Sequence, residues 1–269
     1  MSGVMAAAGV LATLPLLFIL WHLIRTGASS IDLAFFAEVP RPVGEPGGGM
    51  AHAIVGTLIL VALAASIGLP VGIGAGLYLA EQRQGRLATA VRFLADVLNG
   101  LPSIVMGIFA WQFLVRPVGH FSALAGGAAL GVMMIPLVTR ATEEMVRTVP
   151  DSLREAALAL GYPRWRTSIS IVLRTALPGI VTAALVAVAR IAGETAPLLF
   201  TVLGNSFFSV ALDEPIHALP LQIFVYAIQP YEESHRLAWA GALVLIGLVL
   251  AISILARLAT RSRYRGAGD

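Results

Sequence analysis

Arg190 and Glu194 stand four residues apart inside an apolar stretch, Leu177 to Leu203, that is long enough to cross a membrane. A guanidinium near mid-bilayer costs roughly 2.5–3.5 kcal/mol on insertion scales, so few spans carry one without a role for it. On a continuous helix the i, i+4 spacing sets both side chains on one face, where they pair. Pairing lowers the insertion cost and leaves a cation that an entering anion can compete for. The same pair would also serve as a structural lock between this span and a neighbour, and the spacing alone does not separate the two roles.

Composition decides what surrounds the pair. The 269 residues are 58% hydrophobic and 12% charged, about half the charge of an ordinary soluble domain, which places the chain in lipid. There is no cysteine, so disulfides, thiol catalysis and thiolate metal sites are excluded. All 18 basic residues are arginine. Without a lysine the chain holds neither a Walker-type ATP site nor a Schiff-base centre. Five histidines, His22, His52, His120, His217 and His235, are scattered with no metal-ligand spacing, and neither a metal nor a cofactor is expected. No nucleophile–base constellation appears, so the chain is not expected to be an enzyme.

A helix needs about 20 mostly apolar residues to span the hydrocarbon. Six stretches qualify: Val4–Ile24, Ala53–Ala80, Phe93–Val115, Val118–Thr139, Leu177–Leu203 and Leu237–Ala256. The expected fold is therefore all-α, a polytopic membrane protein with six transmembrane helices, and residues 1–269 read as one domain. The first stretch lacks a basic n-region and an Ala-x-Ala site and reads as a retained anchor. Glycines 68, 72, 74 and 76 in the second are expected to let helices approach closely, not to form a nucleotide loop.

Arginine placement orients the chain. If the spans alternate, Arg83, Arg86, Arg92, Arg140, Arg147, Arg154, Arg164, Arg166, Arg174, Arg257, Arg261, Arg263 and Arg265 share one side. Only Arg25, Arg41, Arg116 and Arg236 fall on the other, together with Asp32, Glu38, Glu45, Asp213, Glu214, Glu232 and Glu233. The positive-inside rule then puts both termini in the cytoplasm. The basic tail answers to anionic membrane lipid, with no nucleic acid needed. Near the cytoplasmic face Asp96 is expected to pair with Arg92, and Glu143 and Glu144 with Arg147 and Arg140. On the outer side, residues 38–49 read as an irregular Pro/Gly loop, and the semi-apolar 205–235 as holding a short re-entrant or interfacial helix.

The longest cytoplasmic segment carries a second pattern, centred on residues 150–167. Ser152-x-x-Glu155 predicts a capping box opening a helix after Pro150, and Gly161 followed by Pro163 closes it. Leu153, Ala156, Ala157 and Leu160 form one apolar face, and Trp165 follows between Arg164 and Arg166. So short a helix is marginal alone, and it reads either as an element docking on another protein or as one lying flat on the lipid surface.

Glu155-Ala156-Ala157, with Gly161 four residues on and Ile171 ten after that, resembles the EAA loop of ABC importer permeases. Gly193-Glu194-Thr195-Ala196-Pro197-Leu198, Leu219-Pro220-Leu221-Gln222-Ile223-Phe224 and Asn99-Gly100-Leu101-Pro102-Ser103-Ile104-Val105 extend the likeness to the PstA-type permeases of phosphate ABC importers, over roughly residues 50–257. The chain departs from the EAA pattern where Arg174 follows Leu173 and Leu177-Pro178 arrives late. The resemblance implies a type I ABC importer permease fold and a bacterial inner-membrane location. It further implies a PstC-like permease partner, a PstB-like ATPase dimer and a periplasmic phosphate-binding protein. It assigns Glu155, Ala156, Ala157, Gly161 and Trp165 to ATPase coupling, and Arg190, Glu194 and Thr195 to the substrate pathway. Alternatives are a permease for another oxyanion or a phosphonate, a proton-coupled secondary anion transporter with Glu194 as proton carrier, and a membrane scaffold that moves nothing.

Overall fold

A computed structural model describes residues 2–42, 47–82 and 84–265; Glu45 and Arg83 lie outside the described residues. The described chain is helical, without strands. Its long helices are α1 (Ser2–Gly27), α3 (Ala51–Glu81), α7 (Ala123–Arg147), α10 (Leu173–Ala192) and α13 (Glu232–Arg265). Short helices lie between them: α2 (Leu33–Ala37), α4 (Arg86–Gly100), α5 (Ser103–Ala110), α6 (Arg116–Val118), α8 (Asp151–Ala159), α9 (Arg164–Thr167), α11 (Ala196–Thr201) and α12 (Leu219–Ala227). Five helical stretches are long and apolar enough to cross a membrane, and six if the bent α4–α5 pair counts as one span.

Packing centres on α3 against α7, the most extensively paired helices. In lipid there is no hydrophobic drive between spans, so close van der Waals fit must hold them. Gly68, Gly72 and Gly76 supply it. A β-carbon at these positions would stand 2.7, 2.6 and 2.5 Å from the β-carbons of Met134, Val138 and Thr142. The i, i+4, i+8 row of one helix thus lies on the matching row of the other. Gly74 points elsewhere, with nothing within 4 Å. Leu60, Ala64, Met134 and Val138 continue the contact, and Ile191 of α10 and Leu198 of α11 close over it.

Two predicted spans are broken. The third bends by 105° between α4 and α5. Leu101 is extended, at φ −73° and ψ 135°, because the ring of Pro102 disfavours helical backbone in the residue before it. The fifth begins earlier and ends earlier than its hydropathy predicts: it is helical from Arg164 to Ala192, not from Leu177 to Leu203. Pro178 sits inside it, as prolines do in membrane helices when neighbours satisfy the freed carbonyl. Gly193 stops it, and Pro197 prevents resumption in register, since its ring has no N–H and clashes with the carbonyl four residues back. The fourth span opens at Ser122, whose Oγ accepts from the Ala125 amide at 3.2 Å, and runs on to Arg147. Both broken stretches also contain a π turn, Trp111–Val115 and Ser168–Val172.

α12 forms between Pro215 and Pro230, with the Leu219 amide donating to Thr57 Oγ1 at 2.8 Å.

Gly72→Leu should abolish recovery of monodisperse protein, because the new side chain meets Val138 at the centre of the α3–α7 seam. Gly74→Leu should be recovered at wild-type yield. Size-exclusion profiles in detergent check the pair.

Candidate functional site

The two breaks face each other across one polar cavity of about 210 Å³, ample for several waters or a small anion. The bend between α4 and α5 contributes Asn99, Pro102 and Ser103. The last turn of α10 contributes Arg190 and Ile191, Glu194 follows just after it, and α7 supplies Met133 and Leu137 as an apolar wall. Arg190 lies in the final helical turn, and Glu194 follows the cap residue Gly193 instead of sharing the helix. The pair forms all the same, with Arg190 Nε 3.9 Å from Glu194 Oε1. That distance is an ion pair without a hydrogen bond. Arg190 is 58% exposed and Glu194 19%, so the guanidinium reaches into the open space while the carboxylate is held at its edge. Thr195 stands at the start of α11, its carbonyl accepting from Leu198 and Leu199, and is not among the cavity's lining residues.

The segment at the other end of α7 is built for exposure. α8 runs Asp151–Ala159 from an N-cap at Pro150, so Ser152 lies inside the helix and the expected capping box does not form. Proline is well placed here because no intrahelical acceptor waits for the missing amide. Gly161 ends the helix at φ +83°, with its amide on the Leu158 carbonyl at 3.0 Å and the Tyr162 amide on Ala157 at 3.1 Å. These two bonds are a Schellman motif, which requires the left-handed backbone that glycine adopts freely. Ala157 is buried, whereas Leu153, Ala156, Leu160 and Trp165 are exposed, as is Glu155. Arg154 pairs with Glu81 at the end of α3 and lies 3.5 Å from Asp151. The short helix is thus pinned to the bundle by one arginine while its apolar face stays open.

α4 and α7 share a charge network whose pairing differs from expectation. Arg92 bonds Glu143 at 2.7 Å and also donates to the Leu79 carbonyl at 2.7 Å. Asp96 pairs with Arg140, through Nε at 2.9 Å and through the second guanidinium nitrogen. Arg140 and Arg147 both turn to Glu143, at 3.0 and 2.6 Å, leaving Glu144 exposed. Glu143 is buried at 2% exposure, so three arginines compensate one desolvated carboxylate. Sequence spacing found the local i, i+4 partners but not Arg92, 51 residues away, because that contact depends on how α4 crosses α7.

A second grouping also escaped the sequence. The rings of His52 and His217 meet edge to face with centroids 5.2 Å apart. Burial, and secondarily repulsion from His52, depresses the His217 pKa to about 4 against a weaker opposing backbone bond to Ala218. Among the described residues no three metal-ligating side chains cluster.

A helical bundle with a polar gap between two broken spans and an exposed short helix at one end defines a transport permease. Residues 72–263 match the model for binding-protein-dependent transport system inner membrane components, and the chain belongs to this family. It is 48% identical over 244 residues to the phosphate transport system permease protein PstA of Yersinia pestis, covering 90% of this chain and 83% of that protein. PstA of Pasteurella multocida is 43% identical, with 90% and 87% covered. The fold is similar to that of a chain from a MetNI methionine ABC transporter solved in inward-facing conformations, at TM-score 0.63 and 20% identity over 82% of this chain and 98% of the other. The chain is accordingly a multi-pass transport subunit of the bacterial inner membrane.

Glu143→Gln should lower stability by about 3 kcal/mol, since it leaves Arg92 without its buried counter-charge. Thermal unfolding of the purified protein measures the loss, and Glu144→Gln should show none.

Proposed function

We propose that this chain is the membrane-spanning subunit of an ATP-driven importer of inorganic phosphate, forming half of the translocation path. The observation that carries the reading is the Arg190–Glu194 pair. It sits unbonded in a polar cavity at two helix breaks, in a chain 48% identical to a phosphate permease. An anion entering a low-dielectric path needs a compensating cation, and guanidinium presents a fork matched to oxyanion geometry. Transport also requires release. Glu194 holds Arg190 when the path is empty and competes with the anion for it, keeping occupancy brief. Thr195, beside the pair, belongs to the same stretch.

In this reading the arginine-rich end and both termini are cytoplasmic. α8 is the coupling helix: Leu153, Ala156, Leu160 and Trp165 face a groove of a PstB-like ATPase dimer, Ala157 packs inward, Gly161 fixes the exit, and Glu155 lies at the rim. A PstC-like subunit completes the path, and a periplasmic phosphate-binding protein delivers the ion. ATP closure of the dimer moves the coupling helices, and α9 with its π turn carries that motion directly into α10. Arg190 sits in the last turn of the same helix.

The test is phosphate uptake in proteoliposomes holding the complete complex, with binding protein outside and ATP inside. Arg190→Gln should lower uptake at least a hundredfold while loaded binding protein still stimulates ATP hydrolysis. Leu160→Glu should lose uptake and that stimulation together, because it puts a charge on the docking face. Uptake driven by a pH gradient without ATPase would overturn the reading in favour of a proton-coupled transporter. Normal uptake by Arg190→Gln would overturn the assignment of the path.

A further inference from the structure

The cavity holds more hydrogen-bonding capacity than the protein uses. Among the described residues neither Arg190 nor Glu194 makes a side-chain hydrogen bond, and neither does Asn99 or Ser103. Several other hydroxyls, those of Ser66, Thr89, Thr175 and Thr182, each donate to a carbonyl one turn back, whereas those of Thr139 and Thr142 on α7 make no hydrogen bond. Ser103 has no such carbonyl because it opens α5 immediately after the break. Four polar groups whose bonding capacity this chain leaves unused thus line one polar cavity, Asn99 and Arg190 exposed in it and Ser103 and Glu194 half-buried.

The carboxylate is the informative member. A cation beside an anion path explains itself, but Glu194, only 3.9 Å from Arg190, repels any anion that Arg190 attracts. One kind of anion satisfies both groups at once: an oxyanion that keeps a hydroxyl. Its bare oxygens accept from the guanidinium, and its hydroxyl donates to the carboxylate. Such a hydrogen bond to a charged acceptor is among the stronger ones available. An oxyanion without a proton meets Glu194 as charge against charge.

Resting on the reading of this cavity as the anion path, we infer that Glu194 is a specificity-determining residue that selects proton-bearing tetrahedral oxyanions, phosphate and arsenate, over sulfate. Glu194 accepts the hydrogen of the oxyanion hydroxyl without removing it. Asn99 and Ser103 are the neutral positioning residues that complete the shell from the opposite break. Discrimination is then exercised inside the membrane as well as by whatever protein delivers the ion.

The absence of cysteine in this chain permits a test free of the delivery step. Met106→Cys places one thiol on the cavity wall of this subunit. In the assembled complex, without binding protein, its alkylation rate is followed by mass spectrometry of this subunit at increasing phosphate, arsenate or sulfate. Phosphate and arsenate should protect the thiol, and sulfate should require at least about tenfold more, the worth of one hydrogen bond to a charged group. Adding Glu194→Gln should erase that difference, while Glu194→Asp should keep it. Assembly of each variant is checked by ATP hydrolysis. Equal protection by sulfate and phosphate with Glu194 intact, or discrimination that persists in Glu194→Gln, overturns the inference. If Arg190→Gln still removes protection in that case, the cavity stands as the path and only the role of Glu194 falls. If Arg190→Gln leaves protection unchanged, the path itself is misplaced and the inference falls with it.

Discussion

Backbone that leaves the helix inside hydrocarbon loses its hydrogen bonds unless protein or a wet cavity restores them. This chain leaves the helix twice within apolar stretches, at Leu101–Pro102 and at Gly193–Thr195, and both departures open on the same cavity. Each break needs the other: the exposed backbone and side-chain groups of one are tolerable because the second makes the space polar. The site therefore does not decorate a finished bundle. It is the place where two helices stop so that polar groups can face one another.

Rigidity elsewhere makes that arrangement possible. The α3–α7 seam brings two backbones together at glycine, leaving no slack for either helix to slide, and α10 and α11 pack on the product. At the arginine-rich end, Glu143 ties α4 to α7 through Arg92 and Arg140, while Arg154 ties α8 to α3 through Glu81. The fixed frame is thus α3 and α7. The elements around it, α4–α5 and α8 through α11, carry the breaks and both π turns. A π turn holds one residue more than the α pitch accommodates, and such insertions recur where helices change register for function. The helical stretch Arg164 to Ala192 runs unbroken from the residues that follow α8 to the cavity.

Much of this was legible beforehand. Apolar length gave the membrane spans, since about 20 residues of hydrocarbon-compatible side chains have few other fates. Gly161 gave the end of α8, because the left-handed cap needs a residue without a β-carbon. The prolines gave α12. Arg190 and Glu194 stood out by charge in apolar surroundings, and the structure does bring them together. Hydropathy misplaced the fifth span because it counts apolar residues without regard to hydrogen bonding. Leu198, Leu199 and Phe200 read as membrane whether or not they continue a helix, and Gly193 and Pro197 held the correcting signal. The Ser152 capping box failed for a similar reason: a local pattern competed with Pro150, which fits the N-terminus without an amide.

The sequence by itself determined a membrane chain, its apolar segments, the short exposed helix and the two charges, Arg190 and Glu194, set in apolar surroundings. Each follows from properties of neighbouring residues, namely side-chain transfer energies, backbone preferences and i, i+4 reach. Tertiary structure alone decided which residues share the cavity and which carboxylate gathers the arginines. Asn99 and Arg190 lie 91 residues apart in the chain, and Arg92 reaches Glu143 only because α4 bends across α7. Such pairings depend on crossing angles and on where helices break, and these are settled by the close fit of glycine against side chain over the whole bundle.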